Sequence, residues 1–268
     1  LYRHHVVFQP GEHMTPDAVR AVIQQESPVY YRDGVTRLGV FFDSEHRDYV
    51  PYAALPENYV SALVAAEDTS YWRHQGVSLR GILRAIRDNV FAGRVVAGGS
   101  TLTQQTAKNL FYRPDRSFRS KWVELVNAFR LEVHFTKEEI LEFYVNQFHV
   151  SGNGRGVGIA AVHFFDKDVS ELDLSQQAFL AGLVKAPAYY DPFLGDEARR
   201  ERAIERAHDR TRYVLGRIVA ADASDLAGPL SARTDDDVAR ARALQSSAQE
   251  LLDDGFELSF RRGTFRYE

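Results

Sequence analysis

Asn58-Tyr59-Val60-Ser61-Ala62-Leu63-Val64-Ala65-Ala66-Glu67-Asp68 is the stretch on which the fold turns. Val60, Leu63 and Val64 fall on one face at a 3.6-residue period, so the segment is a helix that seeks a core. It ends on two adjacent carboxylates, Glu67 and Asp68, which places acid chemistry where an apolar helix stops. From Pro56 onward the same period dominates, and the chain reads as mainly α.

Working outward, Val77–Phe91 is a second amphipathic helix with Ser78 as N-cap and Gly93 as its stop. Gly98-Gly99-Ser100-Thr101 opens another, to about Phe111. Ser117 opens a long helix to Phe135, for which Trp122, Leu125, Val126 and Phe129 form the expected buried stripe. Thr136-x-x-Glu139 matches a capping box and starts a helix over Lys137–Phe148. A glycine-rich loop, Ser151–Gly158, leads to an apolar helix ending at Phe165. Ser175–Val184 is helical, stopped by Ala186-Pro187. Asp196–Ala220 is a long amphipathic helix rich in Arg and Glu, whose run Glu197–Arg212 is read as a solvated face of i,i+4 pairs.

The flanks differ. Residues 1–56 read as a β-containing lead-in: an apolar run at His4–Phe8, a helix at Pro16–Gln25, and a hairpin of Val29–Arg32 and Val35–Phe42 about Asp33-Gly34. Residues 221–268 read as the start of a following region, with a helix at Val238–Leu252 and a hairpin over Phe256–Tyr267. The expected division is therefore 1–56, 57–220 and 221–268.

Composition narrows the chemistry. The chain has 268 residues, 44% hydrophobic and 26% charged, which fits a globular protein and not a disordered one. Its net charge of −4 argues against coating nucleic acid. With no cysteine, disulfide scaffolds, thiolate metal sites and cysteine nucleophiles are excluded. Gly98–Thr103 lacks the Gly-Lys-Ser/Thr of a P-loop, and Gly152–Gly158 lacks the Rossmann spacing. No His-Glu-x-x-His is present. The polar residues gather instead at helix starts and ends. Ser100 and Thr101 open a helix whose first N–H groups form a ready anion site. Thr101, Gln105 and Lys108 follow at helical spacing, and Lys121 lies one turn from Glu124. These are parts for acid–base chemistry beside a phosphate.

The same residues carry a resemblance. Glu67-Asp68-x-x-Tyr71-x-x-His74-x-Gly76 and Gly98-Gly99-Ser100-Thr101-Leu102-Thr103-Gln104-Gln105-x-x-Lys108-Asn109 resemble the first two signature motifs of the family 51 glycosyltransferases. These are the peptidoglycan glycosyltransferase domains of class A penicillin-binding proteins and of monofunctional transglycosylases. Lys121-x-x-Glu124 resembles the third motif. Lys137–Asn146, running on to Gly156, resembles the fourth. Leu174–Ala178, Leu183–Pro187 and Tyr190-Asp191-Pro192 resemble the fifth. The likeness covers about Val29 to Val219. Three positions depart from it: Tyr71 stands for Phe, Ser120 for an Arg that here lies one place early as Arg119, and His149–Asn153 replaces a Tyr-x-Gly-x-Gly loop.

The resemblance implies a lysozyme-like helical domain that polymerises lipid II, with inversion at the donor sugar and undecaprenyl pyrophosphate as leaving group. It implies Glu67 as general base and Glu124 as second carboxylate. It implies Ser100, Thr101, Gln104, Gln105, Lys108, Arg119, Lys121 and Arg155 as substrate-binding residues, supported by Asp68, His74 and Asn146. Gln104 and Gln105 would orient either sugar or the N-cap loop. A divalent cation, Mg or Mn, is a candidate cofactor with Glu124 as its ligand. The expected partners are lipid II, the growing glycan, other cell-wall synthesis proteins and the outer face of a bacterial cytoplasmic membrane. Two other classes stay open on the residues alone: a lysozyme-like enzyme that cleaves glycan, and a non-catalytic module that binds lipid II or glycan.

Overall fold

The computed structural model describes residues 15–23, 27–30, 37–41, 48–78, 81–83, 87, 90, 91, 93, 99–111, 117–150 and 154–263. Helix α1 spans Pro16–Ile23. Strands β1 (Ser27–Tyr30) and β2 (Arg37–Phe41) pair antiparallel, with Ser27 opposite Phe41. The two strands share Val29–Tyr30 and Arg37–Phe41 with the arms of the expected hairpin; the rest of those arms, the Asp33-Gly34 turn and the run at His4–Phe8 lie outside the described residues.

Helix α2, Glu57–Glu67, is the centre of the fold. Tyr59 to Ala66 are all buried, so it is enclosed on every side and not merely along the predicted stripe. It packs on α7 (Leu174–Leu183) and α8 (Glu197–Ala220), which also pack on each other. A second group joins α3 (Leu102–Leu110) to α4 (Phe118–His134) and α5 (Lys137–Val145). Between them a two-residue ladder, β3 (His149–Val150) with β4 (Gly154–Arg155), leads into α6, Val157–Phe165. Of the expected helix over 77–91, residues 77 and 78 are described and are not helical, residues 81–83, 87, 90 and 91 are described and are helical, and the rest lie outside.

Helix starts follow local chemistry. Thr101 and Gln104 form a capping box at α3, and Thr136 and Glu139 form the predicted one at α5. The helix expected at Ser175 begins earlier, because Asp173 accepts from the Gln176 N–H and caps α7. The helix expected at Lys137–Phe148 stops at Val145. Asn146 takes over there: its Oδ1 accepts from Val50 N–H at 2.9 Å, and its Nδ2 donates to the Val50 and Glu142 carbonyls at 2.8 Å each. Two of these bonds satisfy the backbone of buried Val50, and the third adds a donor to the Glu142 carbonyl at the end of α5.

Two expectations about α4 and the C-terminal segment are corrected. The stripe assigned to the core of α4 faces water: Trp122 is 66% exposed, and Val126, Phe129 and Val133 are exposed along the same side. The buried face carries Ser120, Glu124, Asn127, Ala128 and Leu131. Periodicity marks an apolar stripe but not what covers it. At the other end, Phe256 to Gly263 form no strand, and residues 264–268 lie outside the description. The alternation there has another cause. Leu258 is buried and Phe260 sits among the rings of Phe164, Phe165 and Phe179, while Arg261 N–H donates to the Phe164 carbonyl at 2.9 Å. Alternate side chains enter the core from a strap laid over α6 and α7. Helices α9 (Ala223–Leu226) and α10 (Asp235–Asp254) share this core through Leu226, Ala241, Leu244 and Ala248.

Candidate active site

The two carboxylates that end α2 turn opposite ways. Asp68 serves α3: its Oδ2 accepts from the Leu102 N–H at 3.1 Å and from His74 Nε2 at 2.8 Å, and its Oδ1 accepts from Ser70 Oγ at 3.1 Å. A carboxylate at the first N–H of a helix is stabilised by both the hydrogen bond and the macrodipole. The helix-start N–H groups expected to await a ligand anion are thus engaged within the chain. Leu102 N–H goes to Asp68 and Gln104 N–H to Thr101 Oγ1 at 3.1 Å.

Thr101 and Gln104 are likewise engaged. Both are buried, Thr101 Oγ1 donates to the Gly76 carbonyl at 2.6 Å, and Gln104 Oε1 accepts from Thr101 N–H at 3.0 Å. Gln104 thereby closes the capping box at the start of α3. Gly76 can take this place because its φ is +84° and an added Cβ would meet the Ala128 carbonyl oxygen at 3.2 Å.

Glu67 faces the other group of helices. Its side chain has no exposed surface. Lys185 Nζ lies 2.9 Å from Oε2, and Arg210 Nη2 lies 3.4 Å from Oε1. Gln105 Nε2 donates to Oε2 at 3.3 Å, and Tyr144 OH donates to Gln105 Oε1 at 3.2 Å. The two cations differ. Lys185, on the turn after α7, is 56% exposed. Arg210, on α8, is 17% exposed and pinned by Nε donating to the Gly182 carbonyl at 2.9 Å, with its guanidinium over the Tyr213 ring.

Neither cation was assigned a role from sequence. Arg210 sat in the Arg- and Glu-rich run read as a solvated face; the structure turns it inward instead, along with Arg217, whose Nε donates to the Ala65 carbonyl at 3.1 Å. The signal available was the position of Lys185 inside the fifth motif. For Arg210 no local signal separates it from its neighbours.

The third group forms on α4. Lys121 Nζ pairs with the buried carboxylate of Glu124 and donates to Ser100 Oγ at 3.1 Å. Ser100 stands just before the N-cap Thr101, and Gln105 follows in the first turn of α3. That one helix start therefore connects the Lys121–Glu124 pair to Glu67. Lys108 and Arg119 stand exposed, Arg155 is half-buried on β4, and Ser120 is buried with Ser117 Oγ 3.2 Å from its N–H. Thr101, Gln105 and Lys108 do not share a working face: Thr101 is the cap, Gln105 points to Glu67 and Lys108 meets solvent.

A buried cluster behind the site holds α1 and the 48–52 segment to α5. The Glu142 carboxylate accepts from Arg20 Nε at 2.7 Å, from Tyr52 N–H at 2.7 Å and from Tyr49 OH. Burial works to raise the Glu142 carboxyl, but the hydrogen bonds from Arg20, Tyr49 and Tyr52 outweigh it and hold the group below the usual carboxylate range. Burial and the adjacent Glu142 charge push the Tyr49 phenol well up, so it remains a donor.

The described donor set does not fit a cation held by the protein. Among the described residues there is no group of three His, Asp or Glu able to hold a metal ion, and the carboxylate of Glu124 is already paired with Lys121.

Among the described residues, no helix is long and apolar enough to cross a membrane. A family model described as Transglycosylase matches residues 33–219. Penicillin-binding protein 1A of Aquifex aeolicus is 42% identical over 182 residues, 68% of this chain and 24% of that protein. Penicillin-binding protein 1A of Neisseria cinerea is 36% identical over 191 residues, 71% of this chain and 23% of that protein. The chain thus spans about a quarter of the length of these curated relatives. A crystal structure of penicillin-binding protein 1A from Haemophilus influenzae aligns with 91% of this chain and 22% of its own, at a TM-score of 0.39 and 20% identity. With the family model covering most of the chain and relatives this similar, the chain belongs to the transglycosylase family.

Proposed function

We propose that this chain is a peptidoglycan glycosyltransferase that polymerises lipid II into glycan strands. The observation that carries the reading is the enclosed carboxylate of Glu67, fixed at the end of the buried α2 among Lys185, Arg210 and Gln105. In the proposed step the acceptor 4-hydroxyl oxygen attacks C1 of the lipid-linked sugar. The C1–oxygen bond to pyrophosphate breaks with inversion from α to β, and undecaprenyl pyrophosphate leaves. The hydroxyl proton passes to Glu67 as general base.

For that transfer Glu67 Oε2 must be uncovered. Lys185 is the more exposed of its two cations, so an arriving pyrophosphate can draw it off while Arg210 keeps the carboxylate in place. Charge building on the leaving group meets Lys121, with Ser100 beside it, and Lys108, Arg119 and Arg155. Glu124 orients Lys121. Thr101, Gln104, Asp68 and His74 build the helix start, and Asn146 locks the end of α5. The reaction belongs to residues 57–220.

The place of work is the outer face of the bacterial cytoplasmic membrane, beside other cell-wall synthesis proteins. Trp122, Val126, Phe129 and Val133 support this reading: they form an apolar helix face open to solvent, beside a site whose substrate carries a lipid tail.

The test is labelled lipid II, incubated with the parent chain and with Glu67→Gln, resolved on a gel that separates glycan lengths. Ladders from the parent and none from the variant support the reading. Shortening of added sacculi by the parent would assign a glycan-cleaving enzyme, and binding without either change would assign a binding module.

A further inference from the structure

Glu67 is an acceptor in its ionised form, so the side chain that meets it must present a donor. Gln105 can present either end of its amide. The carboxylate takes the NH2 end, and the group that holds the amide that way lies on its opposite side. Tyr144, on α5, is buried to 2% exposure and its hydroxyl reaches Gln105 Oε1 at 3.2 Å. A phenol that donates to Oε1 leaves the NH2 group facing Glu67, where Nε2 lies 3.3 Å from Oε2. In the flipped amide, Oε1 would face the carboxylate and repel it. We infer that Tyr144 is a positioning residue for the transfer step, setting the orientation of the Gln105 amide that in turn aims the Glu67 carboxylate. The inference rests on the reading of Glu67 as the base.

The phenol is suited to this. Burial and the nearby Glu67 charge push it well above the usual tyrosine range, so it stays an O–H donor throughout the pH range of the reaction. It is also rigidly placed. Tyr144 belongs to the same turn of α5 as Glu142 and Asn146, whose side chains tie that helix to the 48–52 segment. Among the described residues, the groups facing Glu67 are Gln105 from α3, Lys185 after α7 and Arg210 from α8, with Tyr144 behind Gln105.

The experiment compares lipid II polymerisation by the parent chain, Tyr144→Phe, Gln105→Leu, the double variant and Glu67→Gln, with unfolding midpoints measured alongside. Phe keeps the ring volume and removes only the hydroxyl. The expected result is a fall in kcat of about tenfold for Tyr144→Phe, the worth of one hydrogen bond, with KM for lipid II within about twofold. In the Gln105→Leu background the same change alters kcat by less than about twofold, since there is no amide left to orient.

An unchanged kcat, a rise in KM alone, or the same tenfold loss in the Gln105→Leu background would overturn the inference. So would a loss explained by unfolding at the assay temperature. If Glu67→Gln polymerises at the parent rate, the reading of the base fails and this inference falls with it. If Glu67→Gln is silent while Tyr144→Phe matches the parent, only the inference fails.

Discussion

Replacing Arg210 with Met tests whether the cations around Glu67 hold the fold together as well as the site. Met keeps the length and apolar stem of Arg and can still lie against Gly182 and Tyr213. What is lost is a charge 3.4 Å from Glu67 Oε1 and a hydrogen bond of 2.9 Å to the Gly182 carbonyl. At an effective dielectric of about 20, that charge pair attracts by roughly 5 kcal/mol before desolvation, which offsets much of it. Removing one partner of a buried pair costs about 3–5 kcal/mol when the other is left alone. Glu67 is not left alone, because Lys185 remains at 2.9 Å, though its 56% exposure weakens that contact by screening. The expected net loss is about 2–3 kcal/mol, or roughly 5–10 °C in unfolding midpoint for a chain of this size. Thermal denaturation followed by far-UV circular dichroism measures it. In the Glu67→Gln background the same substitution should cost less than about 1 kcal/mol, since the carboxylate charge is already gone. A midpoint within 2 °C of the parent, or equal losses in both backgrounds, would refute the account of Arg210 as the anchored partner of Glu67.

Acid should loosen the contact between α1, the 48–52 segment and α5. The Glu142 carboxyl is held low in the folded state, so its contribution is present above its unfolded pKa near 4.5 and is lost as pH falls through the lower folded value. Denaturant titrations from pH 6 to pH 2 should show Glu142→Gln less stable than the parent by about 1–2 kcal/mol at pH 6 and nearly level with it at the acid end; parallel curves would count against this. On the far side of the site, Trp122→Glu with Phe129→Glu should leave stability within about 0.5 kcal/mol, because both side chains already face water. Co-sedimentation with vesicles of bacterial phospholipids should drop severalfold, and unaltered sedimentation would remove this face from the membrane reading.

Much of the helical frame is legible in the residues because it is set locally. Thr136 with Glu139 and Ser117 with the following N–H groups announce their helices, and the structure places both caps there. The motifs likewise bring Glu67, Gln105, Ser100, Lys121 and Glu124 to one helix start. Two things escape a local reading. The stripe on α4 has the period of a core face, yet it is exposed; the opposite side, with Glu124 and Asn127 buried, is the one that packs. Arg210 has the same neighbours in sequence as the solvated arginines about it, and only the crossing of α8 over α7 at Gly182 selects it. An added Cβ at Gly182 would meet Arg210 Cγ at 2.9 Å, so the close approach that buries Arg210 depends on a glycine 28 residues earlier. Contacts of that separation are not written in periodicity or composition.

The strap at Phe256–Gly263 and helix α10 bear on how such a chain could be recombined. The family match ends at Val219, whereas apolar packing continues through Ala241, Leu244, Ala248 and Leu258. The inherited segment and the cooperatively packed one are therefore of different lengths. A chimera joined at the family boundary would leave Val214, Leu215 and Ile218 of α8, and the rings of Phe164 and Phe165, without the neighbours that now cover them. A junction placed beyond Gly263 would carry the cover along with what it covers.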